Sequence, residues 1–233
     1  MNYIKELKID NLNLFFSIKE LNEINVGKLI TNFEKDHLKK YKDKILEKDF
    51  IIDSILRSDS KINFISLLNE QEVLNTNSPL AVLYYAQDVI NRPFPQGEDL
   101  IIKDPKIAFK YVDSVIRKAW PKGEDIISQD AESSYNYARY IIRKPFTKGE
   151  TIISQDSDVA FSYAYDVIGK RWREGEKAIS MDPLNSLSYA TKIIKGPWEQ
   201  GESTIMNSNF RSDYLDFLKH KGYDTSELKR KYS

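Results

Sequence analysis

Five glutamates stand at a fixed interval of 26 residues, at Glu98, Glu124, Glu150, Glu176 and Glu202. A regular ladder of carboxylates is able to hold cations. It also suits the free amides at the start of five helices, or ion pairs to Arg or Lys of an adjoining segment, and that is the reading adopted. Five tyrosines keep the same interval, at Tyr85, Tyr111, Tyr137, Tyr163 and Tyr189. Aromatic rings in a row can stack nucleobases. Placed at the edge of an apolar stripe, these are read instead as buried rings whose hydroxyls have partners. The third series is basic: Arg92, Arg117, Lys118, Arg143, Lys144, Lys170, Arg171 and Lys195. Such a stripe can follow a phosphate backbone. It can equally balance the negative ends of helix dipoles.

Little else has the makings of catalysis. The two histidines, His37 and His220, are far apart in the chain and belong to no ligand-spaced motif. Gly27-Lys28 is followed by Leu29 and lacks the glycine run of a phosphate-binding loop. There is no nucleophile elbow, and the absence of cysteine removes disulfides and thiolate metal sites. The expectation is a protein without catalytic residues, metal or cofactor. Lys plus Arg equal Asp plus Glu at 35 each, which disfavours a chain built to hold nucleic acid by charge alone. The balance is also regional, with 12 basic against 13 acidic residues over 1–77, 17 against 18 over 78–207 and 6 against 4 over 208–233, so no segment is a charged tail. Met1 to Asp10 is charged and does not read as a signal peptide, and no apolar run is long enough to span a membrane. A cytoplasmic setting is expected.

The elements that position these residues follow from one box, aromatic-x-x-Gly-Glu. It occurs at Phe94–Glu98, Trp120–Glu124, Phe146–Glu150, Trp172–Glu176 and Trp198–Glu202 without insertion. Self-similarity at such a period signals stacked repeats. Each copy opens on a helix-start signal, Ser78-Pro79, Asp104-Pro105, Asp130-Ala131, Asp156-Ser157 or Asp182-Pro183. A helix of about 13 residues should follow. It carries the Tyr, then Ala or Val, then a β-branched pair such as Val167-Ile168 or Ile193-Ile194. At helical spacing these form an apolar stripe roughly 160° wide, suited to packing on two sides. Basic residues or Pro end the helix. The box aromatic anchors the turn, its Gly is expected at positive φ, and the Glu should open a second, shorter helix.

The predicted fold is therefore all-α, an αα-repeat solenoid of five 26-residue repeats over 78–207 with helical caps at both ends. The N-terminal cap, 1–77, contains one degenerate repeat in which Leu68 replaces the aromatic, Gln71 the Gly, and Glu72 keeps the Glu. Within it, 27–48 and 49–57 read as helices and Ser58 to Lys61 as a break. Residues 1–24 show both strand-like alternation and helical spacing, and helix is preferred. Over 208–233, Ser208 should cap a last helix containing Tyr214, Leu215, Phe217 and Leu218. Lys219 to Ser233 reads as a fraying tail with at most a short turn at 225–230.

The pattern Tyr-Ala-x-x-Val-Ile-x-x-x-Trp-x-x-Gly-Glu-x-x-Ile-x-x-Asp is matched by Tyr163-Ala164, Val167-Ile168, Trp172, Gly175-Glu176, Ile179 and Asp182. It resembles short α-helical repeats of proteins from tailed bacteriophages and giant viruses. The resemblance covers 78–207; it implies viral origin and no particular activity. The functional expectation is a non-catalytic protein–protein interaction scaffold, with nucleic-acid binding through the basic stripe as the alternative. The binding positions are inferred from variation among copies. The two residues after the fixed Ala or Val point away from the stripe, yet read Gln87-Asp88, Asp113-Ser114, Arg139-Tyr140, Tyr165-Asp166 and Thr191-Lys192. A merely solvated face would be more monotonous, and Arg139, Tyr140 and Tyr165 have the composition of interface hot spots.

Overall fold

The computed structural model describes residues 64–232, together with Leu46, Ile52, Leu56 and Arg57. The expectations for 1–24, 27–48, 49–57, the break at 58–61 and His37 lie outside the described residues, except that Leu46, Ile52 and Leu56 are helical. The described residues are helical with no strand. The chain divides into two compact units, Met1–Leu100 and Ile101–Ser233.

The first unit holds α1 (Glu70–Asn75) and α2 (Pro79–Tyr84), and ends within α3 (Glu98–Ile101). α1 starts in a capping box, with the Asn69 side chain accepting from the Glu72 amide and the Glu72 carboxylate from the Asn69 amide. Glu72 thus has a clear local role in the degenerate copy, and Leu68 is buried where other copies have an aromatic.

The second unit contains α4 (Pro105–Tyr111), α5 (Pro121–Ile127), α6 (Ala131–Asn136), α7 (Thr147–Ile153), α8 (Ser157–Tyr163), α9 (Glu176–Ile179), α10 (Pro183–Tyr189) and α11 (Glu199–Met206), closed by α12 (Arg211–His220) and α13 (Ser226–Lys231). Capping works as expected: Asp104, Asp130, Asp156 and Asp182 have extended backbones and accept from the amide three residues on. Long helices α4, α6, α8 and α10 pack on the short helices that follow them and on one another in sequence.

Within each copy the long helix changes type partway. After the α-helical turns it widens into π-helix, at Tyr85–Val89, Val112–Ile116, Tyr137–Ile142, Ala164–Ile168 and Ala190–Ile194. π-Helix is rare and favours functional sites. Here it belongs to the helix ending. The Ala138 carbonyl accepts from the amides of both Arg143 and Lys144, and the Ala190 carbonyl from Lys195 and Gly196. The chain then turns through a left-handed residue at one register, Asn91, Arg117, Arg143, Gly169 or Lys195. The β-branched pairs on these wide turns are half-buried, with Val89 exposed, so the expectation of two-sided packing fails for them.

Positive φ therefore sits where three basic residues stand, and no glycine of the box has it. That corrects the expectation for the box. Its glycines are required because the aromatic ring lies against the backbone. A Cβ at Gly123 would meet the Trp120 ring at 2.0 Å, and one at Gly149 would meet Ser134 Cβ at 2.6 Å. Nor does the Glu always open the short helix: α5, α7 and α11 begin directly after the aromatic, and only α3 and α9 begin on the Glu, each after a 3-10 turn.

The tyrosines explain the register. Tyr111, Tyr137, Tyr163 and Tyr189 are fully buried, rather than at a stripe edge. Each packs on the aromatic of its own copy, with centroids 4.8–5.4 Å apart. Hydroxyls of three reach back to the preceding copy. Tyr137 Oη accepts from the Trp120 amide at 2.9 Å and donates to Glu124 at 3.1 Å. Tyr163 does the same with Phe146, at 2.8 Å, and Glu150, at 2.9 Å. Tyr189 bonds the Trp172 amide at 2.8 Å and Glu176 at 3.2 Å. One seam thus ties together the Tyr, the aromatic and the Glu of the repeat, and Glu124, Glu150 and Glu176 are hydrogen-bond acceptors as well as helix-start charges. Each such bond contributes about 0.5–1.5 kcal/mol net, and an unpaired buried amide would cost more.

The seam runs on into the C-terminal segment. Tyr214 in α12 is fully buried and accepts from the Trp198 amide at 3.0 Å, although it breaks the 17-residue spacing of the other links by one. Ser208 does not cap this helix. Its hydroxyl donates to the Ile205 carbonyl and accepts from the Phe210 amide, and α12 starts at Arg211. Within the tail, the short turn expected at 225–230 is a helix over Ser226–Lys231.

Candidate interaction surface

The π segments Val112–Ile116, Tyr137–Ile142, Ala164–Ile168 and Ala190–Ile194 touch one another in order. They therefore bring the variable positions of the second unit onto one face. Asp113, Arg139, Tyr140, Tyr165, Asp166 and Lys192 are exposed on it, while Ser114 and Thr191 are half-buried. The last two hydroxyls are turned inward, Ser114 donating to the Lys110 carbonyl and Thr191 to that of Leu187. Gln87 and Asp88 belong to the first unit, where they are exposed and bonded to each other.

Two clusters organise the face. In the first, Arg139 donates to Asp166 at 2.7 Å and to the Tyr135 hydroxyl, and its guanidinium lies 5.7 Å from the Tyr135 ring centroid and 5.1 Å from that of Tyr140. Tyr135 donates to the same Asp166 oxygen at 2.5 Å. Burial, helped by that carboxylate and opposed by Arg139, pushes the Tyr135 hydroxyl up to about 12. In the second, Phe161 and Tyr165 stack at 6.0 Å, and the Lys192 ammonium sits 5.7 Å from both ring centroids. Both clusters join neighbouring copies. Tyr140 and Tyr165 nevertheless remain 53% and 51% exposed, unlike every tyrosine of the seam.

Tyr135 and Phe161 join these clusters without being variable positions themselves. The signal for them is present: each lies four residues before Arg139 or Tyr165, the spacing that puts two helical side chains on one face.

The basic stripe is divided in its state. Arg171 is held by a bidentate pair to Glu176, at 2.6 and 3.0 Å, which raises its pKa. Arg117 bonds the Ser114 carbonyl, and Arg92 lies 3.9 Å from Glu70 in the first unit. Lys118, Arg143, Lys144, Lys170 and Lys195 are exposed and lack a carboxylate partner among the described residues.

At the start of the long helices, a groove of about 380 Å³ lies between α6 and α8, lined by Asp130, Glu132, Tyr135, Asp156, Asp158 and neighbours. No group of His, Cys, Asp or Glu among the described residues is placed to hold a metal ion. His220 is exposed at the end of α12. Among the described residues, no helix is long and apolar enough to cross a membrane. Comparison with protein-family models, curated proteins and solved structures gave no match.

Proposed function

We propose that this protein is a non-catalytic scaffold that binds another protein through the face formed by its π segments. One observation carries the reading: the same helices keep their tyrosines fully buried in the seam, yet expose Tyr140 and Tyr165 side by side with Arg139 and Lys192. Tyr and Arg in such a setting are typical interface anchors. In this reading the repeats stack as a solenoid, which the three seam links support for the copies over 104–207, each running to the copy before it. The resemblance to phage and giant-virus repeats supports a viral protein acting on a host or viral partner in the cytoplasm.

Affinity purification from the native cell or infected host tests this. The wild-type chain should retain a protein that the variant Arg139→Ala, Tyr140→Ala, Tyr165→Ala loses while melting at the wild-type temperature. Identical retention by both, or no retained protein, contradicts it. The unpaired cations Lys118, Arg143, Lys144, Lys170 and Lys195 favour a second reading, polyanion binding. That reading requires a low-salt gel shift that fades steeply with salt and disappears when Arg117, Lys118, Arg143 and Lys144 are reversed in charge.

A further inference from the structure

We infer that the segment received by the π face is an acidic peptide in which carboxylates alternate with aromatic or large apolar side chains. This deepens the protein-binding reading and rests on it. The first support is charge. The π segments of the second unit carry two carboxylates, the exposed Asp113 of Val112–Ile116 and Asp166, which Arg139 and Tyr135 already engage. Against them stand Lys192, which rests on two rings and has no anionic partner among the described residues, and the exposed Lys118, Arg143, Lys144, Lys170 and Lys195 just beyond the segments' ends. The face is left with uncompensated positive charge, which steers and orients an acidic partner.

The second support is backbone. Arg143 and Lys195 have φ of 52° and 61°, a region where Gly or Asn is favoured. The equivalent residue one copy along is Gly169, and nothing lies within 4 Å of where its Cβ would be. The turn therefore accepts glycine, and three copies nonetheless place a long cation there, at Arg117, Arg143 and Lys195.

The third is pattern. Cations alternate with the exposed rings Tyr140 and Tyr165, so carboxylates and apolar side chains of one extended peptide can be met in turn. A nucleic-acid strand fits less well. Its bases would have to stack on rings that already have neighbours, Arg139 at Tyr140, and Phe161 and Lys192 at Tyr165.

The test uses the full chain and fluorescence anisotropy with three labelled probes: a short peptide alternating Glu and Tyr, its Lys and Tyr counterpart, and single-stranded DNA of similar length. The acidic peptide should bind more tightly than the other two and weaken with salt. Lys192→Gln should weaken it several-fold. The double substitution Arg143→Asn, Lys195→Asn, which removes both charges with a residue suited to the left-handed turn, should weaken it by about tenfold or more with the helical signal of the wild type retained. No binding of the acidic peptide, equal binding of the Lys peptide, or insensitivity to these variants overturns the inference. Preferential DNA binding lost in the same variants overturns it too, and assigns the cations to a polyanion. A natural protein that is still retained in the purification experiment, and lost on changing Arg139, Tyr140 and Tyr165, would then keep the scaffold reading while removing the acidic partner.

Discussion

Two sets of tyrosines on the same helices have opposite fates. Tyr137, Tyr163 and Tyr189 are fully buried, and each hydroxyl accepts a backbone amide and meets a glutamate of the preceding copy. Tyr140 and Tyr165 lie two or three residues further along, on the wide π turns, and stay half in solvent. The first set repeats without variation because its rings are buried against the box aromatics and its hydroxyls are bonded to the preceding copy. The second set varies from copy to copy because packing does not constrain it. Stability is concentrated in the seam, and the face is left open to take on recognition.

The largest effect should come from breaking the seam at its bulkiest member. Trp172→Ala removes a ring that is 5% exposed and packed on Tyr163, and should cost about 3–5 kcal/mol in thermal or denaturant unfolding. A melt like that of the wild type would contradict the burial.

Next come the glycines, which separate two roles. Gly149→Val should destabilise by about 1–3 kcal/mol through overpacking against Ser134 and Phe146. Gly149→Asn should fare no better. Gly169→Asn should be well tolerated, since φ of 68° is open to Asn and the site has free space. Equal tolerance of Asn at both positions would mean that the box glycine serves backbone conformation after all.

A comparable loss is expected from Tyr163→Phe. It keeps the ring and deprives the Phe146 amide of its acceptor and Glu150 of its donor, at about 1–3 kcal/mol. The same hydroxyls set a pH limit. Burial, the main cause, pushes Tyr189 and Tyr214 up to about 12 from an ordinary value of 10. A raised folded-state pKa means their contribution is complete below pH 10 and is lost as pH climbs towards 12. Helical circular dichroism should therefore hold to pH 10 and fall above it. Tyrosinate absorbance that titrates fully at its ordinary pH while the helix signal persists would show the hydroxyls to be exposed.

Much of this was legible in the chain. Helix starts could be read from Asp104, Asp130, Asp156 and Asp182 because a carboxylate before a helical pattern has one common use. Burial of the Tyr and the box aromatic followed from spacing. The π turns could not be read, since an α-helix and its π-helical ending present the same apolar types in the same order. Positive φ was assigned to glycine because glycine tolerates it best. It falls on Arg117, Arg143 and Lys195, whose charge already had a sufficient explanation in the helix dipole. The box glycine was ambiguous in principle, as a tight approach and a left-handed turn demand the same residue. Tyr214 was hidden by a one-residue change of spacing. On the face, Arg139, Tyr140, Tyr165, Asp166 and Lys192 are exposed, as variation among the copies suggests, and Tyr135 and Phe161, four residues before Arg139 and Tyr165, share that face.

The smallest structural effect, and the most direct test of the account, belongs to the face. A photoreactive aromatic residue can replace Tyr140 or Tyr165 in the full chain, and separately Met181, which is 68% exposed but lies just before the start of α10, away from the π turns. All three proteins should melt as the wild type does. On irradiation in the native or infected cell, positions 140 and 165 should capture the same partner and position 181 should not. Capture from 181 alone, or equal capture from all three, would contradict the assignment of recognition to the π face.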